Sequence, residues 1–180
     1  MREHVEDVDG RSTPKQVDSY RFLDRLTSKL VRTWIGLETP REIPWTPLTK
    51  PLEESTVALI SSAGLALKTD RPFDQEGERR NPWWGDPSFR VLPRAVSAKD
   101  VRLYHLHIAS NLVEQDLNTL FPVQRLLELE AMGEIGAAAT RHYSYMGYTL
   151  EPRTLLEQSV PAMMPKMKQD GVNVVILVPG

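Results

Sequence analysis

Apolar residues recur near the amino terminus of the chain, mostly every three or four positions between residues 20 and 34. This spacing predicts an amphipathic helix that buries one face against a larger body or a partner. The apolar positions are Tyr20, Leu23, Leu26, Leu30, Val31 and Trp34. Residues 1–17 are polar and show no such period, so we expect a disordered amino terminus.

A proline-rich stretch follows the predicted helix. Its prolines are Pro40, Pro44, Pro47 and Pro51. Prolines at this density exclude a helix and an interior strand, because each lacks the backbone N–H that those structures use. The sequence therefore predicts an extended arm, and the helix and the arm together make up residues 18–54.

Short apolar runs alternate with helical patterns in the rest of the chain. Residues 56–60 and 172–178 are continuous apolar runs, which are typical of buried strands, and the second run is rich in valine. Residues 101–108 and 136–144 are two further strand candidates. Each of these four segments is of ordinary length for a strand.

Helical patterns lie between the predicted strands. Residues 122–132 keep a helical period, and residues 152–169 do so with interruptions at Pro161 and Pro165. Residues 70–87 are polar and predict a long loop. The alternation predicts an α/β domain over residues 55–180, with a mostly parallel, Rossmann- or flavodoxin-like sheet flanked by helices.

Composition narrows the classes of function. The formal net charge of -2 gives no basic surface for nucleic acid or for an anionic membrane. The start of the chain is acidic and is neither a signal peptide nor a transit peptide, and no apolar run approaches the roughly 20 residues that span a bilayer. We therefore expect a cytoplasmic protein. The 180 residues contain no cysteine, which excludes disulfides and thiolate metal sites among them.

The last predicted strand runs directly into Pro179 and Gly180. Ligands of open α/β sheets bind at the carboxyl ends of strands, in the loops that lead to the next helix. Such a loop begins here without its helix, so the sequence predicts a domain that is incomplete at its carboxyl terminus. We also expect an unpaired apolar strand in the 180-residue chain.

The first candidate site is the loop from Gly85 to Arg90. Glycine and proline fix this loop, while Asp86 offers an acceptor and Arg90 offers a bidentate clamp for a carboxylate. An amino-acid substrate carries such a carboxylate. On the residues alone, a turn held by an Asp86–Arg90 contact is the favoured interpretation, because Asp-Pro turns are common.

Histidines form the second candidate. His105 and His107 are two positions apart, so on a strand they would point to the same face. They suit proton transfer, or a metal site if Asp116 or His142 joined them. Two hydrogen-bonded histidines at a strand end are the ordinary alternative. Because two ligands make no site and nothing fixes a third, we expect no metal.

Two further segments carry polar groups near predicted secondary structure. Asp116 and Asn118 precede the helix that contains Arg125 and are either capping residues or part of a site. The segment from His142 to Tyr148 is rich in polar aromatic residues, and Tyr143 and Ser144 lie within it. It is equally suited to lining a small-molecule pocket, with His142 as acid or base, and to packing on the core.

Taken together and in this order, these segments resemble the selenoprotein B family of glycine, sarcosine, betaine and D-proline reductases. The resemblance covers about residues 57–180. It rests on Gly85 to Arg90, His105-Leu106-His107, Asp116-Leu117-Asn118, Phe121-Pro122, Arg125, Glu134-Ile135-Gly136, His142 to Tyr148 and Val174 to Pro179.

The resemblance implies a redox mechanism. In this family an apolar strand leads to a selenocysteine, often with a nearby cysteine, and the selenolate displaces an amine from the α-carbon of a small amino-acid-like substrate. Other reductase subunits supply a pyruvoyl group in several members, and a thioredoxin-like system donates the electrons. It further implies that His105, His107 or His142 protonates the amine and that Arg90 or Arg125 holds the carboxylate. Asp86, Asp116, Asn118, Tyr143 and Ser144 then belong to the substrate site.

The chain departs from the family pattern where the redox residue is expected, because no selenocysteine or cysteine is among its residues. We expect the redox residue just after Gly180, with a UGA codon read as a stop. The 180-residue chain by itself is then inactive, and the oligomeric state stays open. One alternative is a non-catalytic binding or scaffold subunit that docks partners through residues 20–51. Another is a metal-dependent enzyme built on His105 and His107.

Overall fold

The computed structural model describes residues 24–37, 42, 44–81, 84–106, 108, 111–147, 149 and 152–180. Two compact units divide the chain, residues 1–46 and residues 47–180. The predicted disordered residues 1–17 lie outside the described residues.

The first unit contains helix α1, Arg25–Leu37. Asp24 caps its amino terminus, because one carboxylate oxygen accepts hydrogen bonds from the amides of Leu26 and Thr27 at 2.9 and 3.0 Å. The helix predicted from the apolar period is therefore present, while Tyr20 and Leu23 from the same period lie outside the described residues.

The second unit is built on one five-stranded sheet with β1, Thr56–Ser61, at its centre. The strand β7, Val174–Val178, pairs with β1 in parallel on one side. On the other side β1 pairs in parallel with two short strands, β5, Ala137–Ala138, and β6, Arg141–Tyr145. The strand β3, Phe89–Pro93, is antiparallel to β6. The predicted α/β fold with a mostly parallel sheet is confirmed.

Two helices flank the sheet where the sequence predicts them. Helix α4 is Val123–Ala131, and helix α5 is Val160–Gln169, preceded by a π-helical turn, Leu155–Ser159. Pro165 lies inside α5 and offers no N–H to the preceding turn.

The two helices cover opposite faces of the sheet. The ring of His142 on β6 lies against Phe121, two residues before α4, with ring centres 5.8 Å apart. Its neighbour Arg141 bonds instead to Asp170 at the end of α5. Because successive side chains of a strand point to opposite faces, α4 and α5 lie on different sides. The main core is on the α4 side and includes Val57, Leu59, Leu92, Phe121 and Leu126.

Several shorter elements complete the second unit. The strands β2, Leu65–Leu67, and β4, Val101–Leu103, form a separate antiparallel pair. Helix α2, Gln75–Arg80, and helix α3, Asn111–Gln115, are single short turns. Two 3₁₀ turns are at Leu52–Glu54 and Leu117–Thr119.

Three predicted boundaries were wrong. The strand predicted over 101–108 ends at Leu103, because the Tyr104 carbonyl turns away to accept a hydrogen bond from the Gln75 side chain at 2.5 Å. The loop predicted over 70–87 contains α2. The strand predicted over 136–144 is two strands, β5 and β6.

The strand β7 lies at an edge of the sheet, with β1 as its strand neighbour. Val174 and Val178 pack against the main core. The side chain of Leu177 is 72% exposed, although it is apolar. Within the described ranges, no helix is both long enough and apolar enough to cross a bilayer.

Candidate functional site at the carboxyl edge of the sheet

Ser62 joins the carboxyl ends of three parallel strands. Directly after β1, its amide donates to the carbonyl of Val178 on β7 at 3.0 Å. Its carbonyl accepts from the amide of Gly147, just beyond β6, at 2.7 Å. Its hydroxyl oxygen accepts from the amide of Gly180 at 2.9 Å. The chain that leaves β7 is thus fixed at the edge of the sheet where α/β proteins bind ligands.

Small residues make this close approach possible. A β-carbon at Gly180 would lie 2.8 Å from the Cα of Ala63, and one at Gly147 would lie 2.8 Å from the carbonyl oxygen of Ser62. Gly64 has a φ of +65°, which suits glycine, and faces the sulfur of Met146. The turn after β1 is therefore closed by backbone packing.

His105 lies at this edge. Its Nε2 atom is 3.3 Å from the point where a β-carbon of Gly147 would be, and its backbone nitrogen is equally close to that of Gly64. The residue is 7% exposed. The expectation that a strand carries it is wrong, because β4 ends two residues earlier. His107, its predicted companion, lies outside the described residues.

His142, the second residue of β6, points into the core. It is fully buried, and its Nδ1 atom accepts a hydrogen bond from the amide of Leu59 at 3.1 Å. The imidazole thereby accepts a hydrogen bond from the Leu59 amide, which lies between the parts of β1 that pair with β5 and with β6. Burial, assisted by the positive charge of Arg94, lowers the pKa of His142 from 6.5 to about 4. The ring is neutral near pH 7, with its proton on Nε2, and that atom has no hydrogen-bond partner among the described residues.

Tyr143 and Ser144 are also fully buried on β6. The hydroxyl oxygen of Ser144 accepts a hydrogen bond from the amide of Leu65 at 2.8 Å and so ties β2 to the sheet. Tyr143 points to the opposite face and packs against Phe89 at a ring distance of 6.1 Å. Burial raises the pKa of its hydroxyl. Both side chains support the sheet from within.

Asp86 and Arg90 meet through Ser88. One carboxylate oxygen of Asp86 accepts from the Ser88 hydroxyl at 2.6 Å, and the Arg90 guanidinium donates to the same hydroxyl oxygen at 3.0 Å. Together with Asp70 and Arg71 they line an open depression of about 300 Å³. The loop that the sequence indicates as a candidate site therefore lines a surface depression that carries charged side chains of both signs.

Arg90 is largely occupied within the protein. Its guanidinium donates to the carbonyls of Arg71, Pro72 and Phe89 at 2.8, 3.1 and 2.9 Å, and it lies 4.1 Å from the centre of the Phe73 ring. Its strand β3 is three positions from β7 in the sheet, which corresponds to about 14 Å at the usual strand spacing. A small substrate held here would therefore lie well away from Gly180.

Asp116 and Asn118 organise the start of α4. Asp116 accepts from the backbone amide and the side-chain amide of Asn118 at 2.9 and 2.8 Å, and these bonds lower the pKa of its carboxyl. The Asn118 side-chain oxygen accepts from the amides of Gln124 and Arg125. Arg125 is exposed and pairs with Glu128 at 2.8 Å. The arrangement is that of a capped helix.

Sequence reasoning placed a ligand loop at Gly180 but missed Ser62 and Gly147 as its neighbours at this edge. A signal was present in the small residues that follow the apolar run of β1, but nothing local shows which other segments meet there. Among the described residues, no group of three or more His, Cys, Asp or Glu side chains is placed to hold a metal ion.

The fold and this edge define a class of protein, an α/β domain whose parallel strands end at a closed turn, with a buried histidine beside Gly64 and Gly147. The family model described as glycine/sarcosine/betaine reductase selenoprotein B matches residues 7–179. The chain therefore belongs to this family, and the resemblance inferred from the motifs is confirmed.

A curated relative gives a second measure of similarity. The chain is 33% identical over 151 residues to D-proline reductase subunit gamma of Acetoanaerobium sticklandii, a match that covers 81% of this chain. It spans 59% of the length of that relative. No solved structure matches the chain significantly.

Proposed function

We propose that the chain belongs to the redox-carrying subunit of a reductase that cleaves a carbon–nitrogen or similar bond in a small amino-acid-like substrate. Family membership and the similarity to a D-proline reductase subunit support this function. The subunit works with other reductase subunits, one of which supplies a pyruvoyl group, and with a thioredoxin-like donor in the cytoplasm.

One observation carries the proposal: the Gly180 amide is held by the Ser62 hydroxyl at the carboxyl edge of the sheet. We place the redox residue, a selenocysteine or a cysteine, directly after Gly180. A side chain there begins at the closed turn of residues 62–64, where parallel α/β sheets carry their reactive groups. The preceding strand is fixed to β1 along its whole length, so this position is rigid.

The redox residue would supply the nucleophile: its selenium or sulfur bonds to the substrate carbon as the C–N bond breaks, and the amine leaves with the electron pair and takes a proton. A dithiol donor would then cleave the selenium–carbon or sulfur–carbon bond as it becomes a disulfide, so that the carbon keeps the electron pair and takes a proton, and the selenolate or thiolate is restored. His105 is the described histidine that lies at this edge, so we assign it the protonation of the amine. His142 and His107 remain alternatives from the sequence.

The carboxylate of the substrate needs a cation. Arg90 is our choice over Arg125, because Arg90 lies beside a depression and Arg125 pairs with Glu128 on an exposed helix face. Because β3 and β7 are about 14 Å apart, Arg90 would bind the substrate carboxylate in an initial complex, before the C–N bond is cleaved beside the redox residue. Asp86 then orients Arg90 through Ser88.

The test is the intact mass of the protein isolated from its native host, with selenium measured on the same sample. We expect a mass above that of 180 residues and about one selenium per chain, or a cysteine directly after Gly180 on sequencing the gene. A mass equal to that of 180 residues, without selenium, refutes the redox role. It would indicate a non-catalytic binding or scaffold subunit.

A further inference from the structure

The side chain and the backbone of Ser62 bind different partners. Any residue at this position could make the backbone bonds to Val178 and Gly147, whereas the bond to the Gly180 amide needs a hydroxyl oxygen. The Ser62 hydroxyl is therefore the side-chain group that holds the backbone after β7. The residue that it holds, Gly180, is directly before the redox position proposed above.

The hydroxyl of Ser62 retains a donor. A serine hydroxyl offers one hydrogen and two lone pairs, and here one lone pair accepts from Gly180. Within the described part of the chain, the Ser62 hydroxyl donates to no acceptor. Ser61 shows the contrast, because its buried hydroxyl donates to the Leu120 carbonyl at 2.8 Å and accepts from the Ala63 amide at 3.2 Å. Ser61 has therefore used its hydrogen, while Ser62 is half-buried and its hydroxyl hydrogen is still available.

We propose that Ser62 is a positioning residue for the redox group: its hydroxyl oxygen holds the backbone at Gly180, and its hydroxyl hydrogen bonds to the selenolate or thiolate of the residue that follows. This inference rests on the proposed function. A hydrogen bond to an anion is stronger than one between neutral groups, so the same side chain both orients the nucleophile and stabilises its reactive form.

The experiment uses the full-length protein with its redox residue and two matched pairs of side chains at position 62. Serine is compared with Ser62→Ala, and Ser62→Thr is compared with Ser62→Val, which has nearly the same shape without the hydroxyl. Ser97→Ala is the control, because it removes a hydroxyl that bonds to Asp100 in a turn far along the chain from the edge strands. The second pair decides the question if the alanine variant does not fold.

The measurement is the rate of alkylation of the redox residue by iodoacetamide as a function of pH. Loss of the hydroxyl in either pair should raise the apparent pKa of the redox group by about one pH unit, which lowers the alkylation rate about tenfold below that pKa. The threonine and Ser97→Ala proteins should keep the profile of the wild type. A role confined to holding the fold would change the melting temperature and leave this profile in place.

The two proposals fail in different ways. A redox residue whose alkylation profile is the same with and without the hydroxyl overturns the role of Ser62 and leaves the reductase function standing. A native protein with no selenocysteine or cysteine after Gly180 overturns both.

Discussion

Replacing His142 tests whether the core carries a built-in sensitivity to acid. In the folded protein the pKa of this imidazole is lowered to about 4, whereas in the unfolded chain it returns to about 6.5. Below pH 6.5 the unfolded chain therefore binds a proton that the folded protein does not. Stability is unaffected by this group above pH 6.5 and is lost as the pH falls from 6.5 towards 4.

The magnitude follows from the difference between the two pKa values. About 2.5 pH units at 1.36 kcal/mol each give roughly 3 kcal/mol, and more than half of it falls between about pH 6 and pH 4.5. This is a large part of the stability of a typical domain. Several carboxylates also have lowered pKa values in the folded protein, and their protonation destabilises it only below this pH window; they are Asp24, Asp100, Asp116 and Asp170.

The assay is urea unfolding, followed by circular dichroism, at several pH values between 7.5 and 4.5. His142→Asn is the matched variant, because an asparagine oxygen can take the place of Nδ1 and accept from the Leu59 amide but does not titrate. The variant is expected to lose some stability at pH 7.5 through the cavity it leaves. Between pH 6.5 and 4.5 it should then fall by roughly 2–3 kcal/mol less than the wild type.

Parallel loss of stability in the two proteins over this range would refute the reasoning. So would a titration of the His142 ring near pH 6.5 by NMR, because it would show that the imidazole is solvated in the folded state.

Three further predictions concern single side chains. Arg141→Met should lower the free energy of unfolding by about 2–3 kcal/mol in denaturant titrations, because it leaves a largely buried carboxylate unpaired, whereas Arg125→Met on the exposed helix face should change it by less than about 0.5 kcal/mol. Gly64→Ala should lower the melting temperature more than Gly133→Ala. Both have positive φ, but only at Gly64 would the new methyl meet a neighbouring side chain, so equal losses would contradict this account. Leu177→Lys should reduce self-association measured by light scattering without lowering the melting temperature, since this side chain is 72% exposed on an edge strand, and unchanged association would show that this face is not adhesive.

The parts of the fold that the sequence predicted are those in which a strong local pattern coincides with burial. The helix α4 has a regular apolar period, and β1 is a continuous apolar run, so each was located within one or two residues. The strand β3 was missed because it contains Arg90, ends in proline and is half-buried, so that neither alternation nor a continuous apolar run marks it. Tertiary pairing with β6 determines its conformation.

The candidate site was harder to predict for a similar reason. Ser62 and Gly147 come from distant segments and look locally like ordinary turn residues. The sequence indicates a ligand loop at Gly180 but not that Ser62 holds it. Asp116 and Asn118, which looked like site residues, bond to each other and to the start of α4. Side-chain chemistry was visible in the sequence, but the partners that each side chain meets depend on the register of the sheet.

The position of β1 also has a consequence for how the protein is made. Its parallel partner β7 lies far along the chain, since the Thr56 amide bonds to the side chain of Asn173, 117 residues later. At a synthesis rate of about 5–20 residues per second, β1 leaves the ribosome on the order of ten seconds before this partner exists. During that interval the edge of β1 that pairs with β7 stays unpaired. We therefore expect the nascent chain to bind a chaperone that shields hydrophobic segments.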